Sequence, residues 1–233
     1  AVSDRDFVAE ALFDLALIGT HLSRIGEEWV LWTSEEFGFA TLDDRYATGS
    51  SMLPQKKNAD IAELARGKAG RLIGNLTGLL TTLKGLPLAY NRDLQEDKEP
   101  LFDSYDQVSL AVGALTGMIQ TATFNSDRMR EAADVQSLSA TDLAEYLVRK
   151  GTPFRQAHAI VGELVQKAIS GSQSLQQLVA DSPEFDADAL QLIGTGVGVQ
   201  LRSSPGAAGP HAAEDQRARF ASVIASLRTS LAI

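Results

Sequence analysis

Three long stretches in the first half of the chain repeat apolar residues every three to four positions. In the first, these residues are Phe7, Ala11, Leu15, Ile18, Leu22, Ile25, Trp29 and Trp32. Similar stripes run from about Ala59 to Lys84 and from about Pro100 to Phe124. This spacing is that of one face of a helix, so the pattern predicts three helices, each ~35–45 Å long at ~1.5 Å per residue.

The pattern changes after about residue 125. Shorter helical segments are predicted near 141–151, 152–171, 175–180, 186–193 and 213–231, with an irregular loop over 194–210. No segment of four to eight residues alternates between apolar and polar positions, so no sheet is predicted. The chain is therefore expected to be all-α, with a long-helix bundle over 1–130 and a small helical domain over 131–233.

Glycines at positions 70, 74 and 78 follow one side of the second predicted helix. A glycine inside a helix costs ~1 kcal/mol relative to alanine, so we expect another helix to pack closely there. The three apolar stripes are also too continuous to bury one another completely. Long helices with such faces form bundles, often across subunits, and we expect a homo-oligomer.

Composition narrows the class of protein. The chain has 233 residues, 44% of them hydrophobic, and a net charge of −9, which argues against a nucleic-acid or membrane-surface binder. It has no cysteine, no apolar run long enough to span a bilayer and no signal-peptide pattern, so we expect a cytoplasmic protein. It begins at Ala1 rather than at a methionine, which leaves open that it is a piece of something longer.

One segment, directly before the second predicted helix, has the residue types of an anion site. It reads Gly49-Ser50-Ser51-Met52-Leu53-Pro54-Gln55-Lys56-Lys57-Asn58. Hydroxyls, an ammonium group, an amide and the free N–H groups of a helix start suit an anion. Residues 55–92 carry a net charge of +5 inside the acidic chain. A flexible turn at the serines and a salt-bridged helix face are the simpler alternatives.

The same segment resembles the Gly-Ser-Ser-x-Met-Pro-x-Lys-x-Asn signature of the fumarase/aspartase superfamily. More of the chain is similar to the argininosuccinate lyase family, in Ser3–Phe7, Tyr90–Glu99, Ala140–Ala144 and Gly151–His158. The resemblance implies the central helical bundle of that superfamily, incomplete here, and a small C-terminal domain. It also implies a homotetramer that splits argininosuccinate into arginine and fumarate, in arginine biosynthesis.

The resemblance assigns catalytic roles within the signature segment. Ser50 matches the catalytic serine, which is generally taken as the base on carbon. Lys56 and Asn58 match groups that face the doubly charged aci-carboxylate intermediate, and Ser51 is a structural or backbone-binding partner. Glu63 matches the carboxylate that orients the catalytic histidine of a neighbouring subunit.

Further residues match substrate-contacting positions of the family, namely Arg5, Tyr90, Gln95 and Lys98. No cofactor is implied, and the sequence has no His/Asp/Glu cluster at ligand spacing, so no metal is expected. The acidic residues Asp93, Glu96, Asp97 and Glu99 fit a solvated helix start. Of the histidines, His21 is expected at the edge of the core, His158 in a structural place and His211 in solvent.

The chain also departs from the family pattern. Met52-Leu53 stands where the family prefers any residue followed by methionine, and family chains are about twice as long, with the catalytic histidine in the missing N-terminal half. Three interpretations follow: the C-terminal portion of an argininosuccinate lyase, inactive without its other half; a related lyase for another N-substituted succinate; or a non-catalytic structural or assembly protein of the same fold. We favour the first.

Overall fold

The computed structural model describes residues 2–49, 57–133, 139–171, 173–194 and 196–231. The chain divides into two compact units, Ala1–Ser126 and Asp127–Ile233. The sequence predicted a domain boundary between residues 130 and 131, and this division into two domains stays a prediction. Among the described residues, no helix is both long and apolar enough to cross a membrane.

Three long helices dominate the first unit, close to their predicted spans. They are α1 (Asp6–Trp32), α2 (Asp60–Leu83) and α3 (Lys98–Thr121). Short elements join them: β1 (Ala40–Thr41), the 3-10 helix η1 (Asp44–Tyr46), β2 (Thr48–Gly49), β3 (Lys57–Asn58), the 3-10 helix η2 (Arg92–Asp97) and β4 (Thr123–Phe124).

The strands correct the expectation that the chain has none. They form two antiparallel pairs, β1 with β4 and β2 with β3, in which Ala40 lies opposite Phe124 and Thr48 opposite Asn58. Each strand is only two residues long. A segment this short cannot show the alternation by which a strand is recognised in a sequence.

Helices α1 and α2 run antiparallel and approach very closely at two glycines of α1. A Cβ at Gly26 would overlap the carbonyl oxygen of Ala62, and one at Gly19 would overlap the side chain of Leu72. The glycine stripe of α2 behaves differently. Apart from the glycine, its two chain neighbours and the adjoining backbone of α2 itself, no described atom lies within 4 Å of the position that a Cβ would take at residues 70, 74 and 78. The predicted packing of a helix against this stripe is therefore wrong for the chain by itself.

The buried face of α1 also differs from the predicted stripe. Phe7, Ile18 and Ile25 are exposed. The residues of α1 that are buried are Val8, Leu12, Ala16, Gly19, Gly26 and Trp29. Apolar residues occupy two faces of this helix, and periodicity cannot tell which face packs inside the chain.

In the part of the chain that the structure describes, the second unit is built from helices that are each shorter than the three of the first unit, and the first of them begins at the boundary residue Ser126. Ser126–Ala133 forms α4, which the sequence did not predict, and α5 to α7 follow as Ala140–Arg149, Phe154–Ser170 and Leu175–Ala180. The 3-10 helix η3 (Ala187–Leu192), α8 (Val197–Gln200) and α9 (Pro210–Ser230) complete it. Its core includes Leu143, Leu147, Ala157, Val161, Leu175, Val179 and Ala189. Asp142, which is buried, lies 2.7 Å from the Nη1 atom of Arg202.

Candidate active site

The two ends of the signature segment that the structure describes are the paired strands β2 and β3. Gly49 lies opposite Lys57, and Thr48 lies opposite Asn58. Ser50, Ser51 and Lys56, which carry most of the predicted chemistry, lie outside the described residues.

Asn58 and Glu63 are the predicted site residues that the structure describes at this end of the unit. Asn58 is half-buried and precedes the start of α2 by two residues. The first N–H groups of a helix have no partner inside the helix, so an amide side chain and free backbone donors lie next to each other here. Glu63 is exposed in the first turn of α2, where a carboxylate is favoured by the helix dipole.

A second group of predicted residues surrounds a buried carboxylate at the start of α1. Arg5 Nε donates to Asp97 Oδ2 at 2.5 Å, and Lys98 Nζ donates to Asp97 Oδ1 at 2.9 Å. Asp97 is only 6% exposed. Burial by itself raises the pKa of Asp97, but hydrogen bonds from Lys98 and Arg5 outweigh it, so the pKa lies below its ordinary value.

The solvated role expected for Asp97 is therefore wrong. Its own neighbourhood in the sequence is charged, and the Arg5 guanidinium that makes its burial tolerable lies 92 positions away. Only the fold brings the two together.

Tyr90 and Gln95 extend this second group. The Nε2 atom of Gln95 donates to the Tyr90 hydroxyl oxygen at 2.7 Å, and both side chains are exposed. A cavity of about 360 Å³ opens beside Arg5 and is otherwise lined by Ser3, Asp4, Asp6, Leu83, Leu86, Pro87, Leu88, Ala89 and Leu94. Its size is that of a pocket for a small molecule.

The two groups lie at opposite ends of the helical bundle. Gly26 near the end of α1 contacts Ala62 at the start of α2, whereas Val8 and Leu12 pack against Leu79 near the end of α2. Arg5 and Gly26 are thus separated along α1 by about 30 Å at ~1.5 Å per residue. One chain does not bring Asn58 and Glu63 together with Arg5, Tyr90, Gln95 and Lys98.

Basic residues of α2 are largely paired with the neighbouring helices. Arg66 donates to Glu27 at 2.6 Å, and Arg71 donates to Asp103 at 2.5 and 2.8 Å. Hydrogen bonding to Arg71 lowers the pKa of Asp103 below its ordinary value. The local excess of positive charge is therefore partly a salt-bridged helix face, as the simpler alternative held.

Histidines do not contribute to either group. His21, His158 and His211 are exposed, so the expectation that His21 lies at the edge of the core is wrong. His158 contacts the ring of Phe154. Within the described ranges, no group of three or more His, Cys, Asp or Glu side chains could hold a metal ion.

Sequence reasoning missed Thr48, Asp60 and Asp44, which hold the ends of the signature segment. Asp60 accepts hydrogen bonds from the Thr48 backbone N–H, at 2.9 Å, and from its hydroxyl. Lys57 pairs with Asp44. These polar residues lie close to the serines in the sequence, which could have marked them as candidates. Nothing in the order of residues, however, shows which of them pair.

Comparison with solved structures shows the class of fold. EDDS lyase in complex with formate matches with a TM-score of 0.87 and 31% identity, over 99% of this chain and 49% of that chain. An EDDS lyase variant with bound fumarate matches with the same TM-score and 30% identity, over the same shares of the two chains. The class II fumarase of Schistosoma mansoni, at 16% identity and a TM-score of 0.71 over 82% of this chain and 39% of that chain, shares the fold alone.

Sequence comparison is more specific. A family model described as Lyase matches residues 1–74, and one described as Argininosuccinate lyase C-terminal matches residues 137–195. The argininosuccinate lyase of Frankia casuarinae is 52% identical over 229 residues, which are 96% of this chain and 49% of the relative. That of Roseiflexus sp. is 54% identical over 224 residues, which are 94% of this chain and 49% of the relative.

The long helices of the first unit and their structural matches place the chain in the fumarase/aspartase superfamily of lyases. Within that superfamily, the chain belongs to the argininosuccinate lyase family. It spans about half the length of the curated relatives it matches.

Proposed function

We propose that this chain is the C-terminal portion of an argininosuccinate lyase, which cleaves argininosuccinate to arginine and fumarate. The observation that carries the proposal is a sequence identity of about 50% to argininosuccinate lyases over nearly the whole chain, for example 52% over 229 residues. Arginine biosynthesis and a cytoplasmic location belong to the same proposal and rest on the family resemblance alone.

The reaction needs a base and a concentration of positive charge. In our proposal, Ser50 removes the proton from the carbon next to a carboxylate, and that carboxylate takes up the electron pair to give a dianionic intermediate. The pair then forms the double bond as the bond to the leaving nitrogen breaks, and the nitrogen keeps the electrons of the broken bond. The dianionic intermediate requires fixed donors, which we assign to Lys56, Asn58 and the first N–H groups of α2. A nearby ammonium group also stabilises the serine alkoxide that a base of this kind requires.

Two further residues near the signature segment, Ser51 and Glu63, also receive roles in our proposal. We assign Ser51 to binding through the backbone and Glu63 to orienting the histidine that the family carries in the part this chain lacks. Arg5, Tyr90, Gln95 and Lys98 are assigned to the rest of the substrate. The cavity of about 360 Å³ beside Arg5 supports this assignment because it offers room for a small molecule next to a charged group.

Association of chains is part of the proposal. The two groups of assigned residues lie about 30 Å apart in one chain, so one substrate can touch both only where ends of different chains meet. Exposed apolar side chains on all three long helices supply surfaces for such contacts; they include Phe13, Leu17, Leu64, Ile73, Phe102 and Leu110. We propose a homo-oligomer, with the tetramer of the resemblance as its size.

A related lyase for another N-substituted succinate is the second candidate. The observation in its favour is the TM-score of 0.87 with EDDS lyase, over 99% of this chain. The higher identity to argininosuccinate lyases makes argininosuccinate the first substrate to test.

The test joins the unmatched N-terminal part of the Frankia casuarinae relative to Ala1 of this chain. We expect this chimera to release fumarate from argininosuccinate, measured by ultraviolet absorbance, and the chain alone to release none. Turnover of EDDS but not of argininosuccinate would select the second candidate. An inactive chimera that assembles normally, or robust turnover by the chain alone, would contradict the proposed function.

Replacing the serine tests the mechanism within the same chimera. Ser50→Ala is expected to lower turnover by ~10²–10⁴-fold, the range of acid–base catalysis, without changing assembly measured by size-exclusion chromatography. The matched control is Ser109→Ala, an exposed serine of α3, which is expected to keep full turnover. Unchanged activity in Ser50→Ala would remove this serine from the mechanism.

A further inference from the structure

The ends of the signature segment are held by a short strand pair that is weak by itself. The β2–β3 ladder contains only two residue pairs, Thr48 with Asn58 and Gly49 with Lys57. An isolated two-stranded hairpin is marginally stable at best in water. Other contacts must therefore fix the direction in which the chain leaves β2 and returns through β3.

Among the contacts of the described residues, a single carboxylate oxygen makes two charge-assisted hydrogen bonds to β2. Oδ2 of Asp60 accepts from the backbone N–H of Thr48, at 2.9 Å, and from the hydroxyl of the same residue. Hydrogen bonds to an ionised acceptor are roughly twice as strong as neutral ones. Because Asp60 is the first residue of α2, the two bonds tie the strand that enters the segment to the helix that follows it.

The two hydrogen bonds to Asp60 fix the rotamer of the Thr48 side chain as well as the position of its backbone. A bond to the backbone N–H alone would let the Thr48 side chain turn, whereas the second bond, to the hydroxyl, also fixes its rotamer. Thr48 is two residues before Ser50 and directly opposite Asn58. Its orientation therefore bears on the place of the Asn58 amide across the ladder.

The residues just before this contact pack against the helices of the bundle. Tyr46, at the end of η1, lies against Gly117 of α3, where a Cβ would overlap the tyrosine hydroxyl. The same tyrosine packs against a core cluster that includes Trp29, Ala62 and Met118. Lys57 pairs with Asp44 on the other side, but both side chains are exposed and such pairs contribute little.

We propose that Thr48 and Asp60 are positioning residues for the lyase reaction: the carboxylate–threonine clamp ties β2 to the start of α2 and so places Asn58, on the paired strand, for the substrate. This inference rests on the proposed function, and neither residue is assigned a contact with substrate. Preorganisation of this kind matters because a displacement of ~1 Å can cost ~10²-fold in rate.

The clamp itself can be tested on the full chain without any activity. Hydrogen exchange followed by mass spectrometry reports the protection of the amides at 48–49 and 57–58. Asp60→Ala is expected to speed exchange of the Thr48 amide by about tenfold or more, because a hydrogen bond to a charged group is lost. Thr48→Val, which loses only the hydroxyl bond, is expected to give a smaller increase. Unchanged exchange in both variants would overturn the clamp.

Its role in positioning is tested in the chimera described above. Thr48→Val is expected to lower kcat by about 10-fold to 10²-fold while KM stays within about threefold, because the substrate groups assigned to binding at the other end are untouched. Thr48→Ser, which keeps the hydroxyl, is expected to restore most of kcat. The matched control is Thr77→Val on α2, whose hydroxyl donates to the Ile73 carbonyl oxygen of its own helix, and it should keep wild-type kcat.

Two outcomes would overturn the positioning role. One is a Thr48→Val enzyme with wild-type kcat, and the other is a Thr48→Ser enzyme as slow as Thr48→Val. A wild-type chimera that makes no fumarate contradicts the proposed function instead, and the exchange measurement still decides whether the clamp exists. The failure of either proposal is thus distinguishable from the failure of the other.

Discussion

Asp97 shows how one residue can be misjudged from its neighbours. It lies among Asp93, Glu96 and Glu99, which suggests a solvated acidic turn, yet it is buried and bound by Arg5 and Lys98. Two cations around one buried carboxylate join the start of α1 to the start of α3. The ion pair is well shielded on both sides, since the Arg5 and Asp97 side chains are 14% and 9% exposed.

Replacing this carboxylate should give a stability change that depends on pH. At pH 7, Asp97→Asn is expected to lower the free energy of unfolding by about 1–3 kcal/mol, because charged hydrogen bonds are lost and Arg5 is left without its anion. The folded pKa of Asp97 lies below its ordinary value, so its contribution is present above the unfolded pKa of ~3.9 and is lost as pH falls through the folded pKa.

Urea unfolding at pH 7 and at pH 3 measures both parts of this expectation. The difference between wild type and Asp97→Asn should be smaller at the lower pH. The control is Glu10→Gln, an exposed acidic residue of α1, which should change little at either pH. A difference that is the same at both values would contradict the assigned ion pair.

At the scale of helices, glycine has two opposite uses in this bundle. Gly19 and Gly26 of α1 allow α2 to approach until its atoms fill the space of a side chain. At Gly70, Gly74 and Gly78 of α2, by contrast, the space that a Cβ would occupy has no neighbouring helix or side chain of the described residues within 4 Å. Helices pack by fitting side-chain ridges into grooves, and removing the ridge at Gly26 lets the two backbones come nearly into contact.

Adding one methyl group separates these two uses. Gly26→Ala is expected to lower the free energy of unfolding by ~1–3 kcal/mol, since the methyl group would overlap the Ala62 carbonyl oxygen and overpacking of this size is costly. Gly113→Ala on α3 is the control, because no described atom lies within 4 Å of its Cβ position. Alanine there should raise the free energy by up to ~1 kcal/mol. Urea unfolding of both variants measures the pair, and a Gly26→Ala protein as stable as wild type would contradict the close approach.

At the scale of the whole molecule, the first unit exposes large apolar side chains that its own helices leave uncovered. Phe7, Ile18 and Ile25 belong to the predicted stripe of α1, yet all three are exposed. Tyr105, Val112 and Ile119 of α3, which lie within the range of the third predicted stripe, are exposed as well. Large exposed apolar faces mark sites of association. The exposed members of the stripes are therefore our argument for contacts between chains.

Association can be measured directly. We expect the purified chain to sediment as a species several times heavier than its 24.9 kDa, and Ile18→Glu to shift it towards lower mass, because a charge on an apolar interface must be desolvated. Ile169→Glu is the matched control, an isoleucine of α6 that is 72% exposed in the second unit. A monomeric wild type, or equal effects of the two substitutions, would contradict association through the long helices.

The site shows where sequence reasoning stops. The signature segment, Arg5 and the Tyr90–Lys98 stretch were chosen as site residues from the family resemblance, and their chemical roles stay predictions. The contacts around them were not accessible, because Thr48 pairs with Asp60 across 12 positions and Arg5 with Asp97 across 92. Both pairings are made by chain reversals whose geometry no local pattern encodes.

Three features of this protein follow from its sequence alone. Helical periodicity showed that the chain is helical, and with the positions of glycine and proline it showed roughly where the long helices begin and end. The family resemblance showed the family to which the chain belongs. Those features depend on short-range backbone preferences and on strings of residues that can be read in order. Only the tertiary structure decided which face of α1 is buried, which glycines allow close contact, that Asp97 is an internal ion-pair partner and that the two groups of candidate site residues lie at opposite ends of one bundle. The physical reason is that burial and pairing depend on distances between residues far apart in the sequence, and those distances are fixed only when the helices pack.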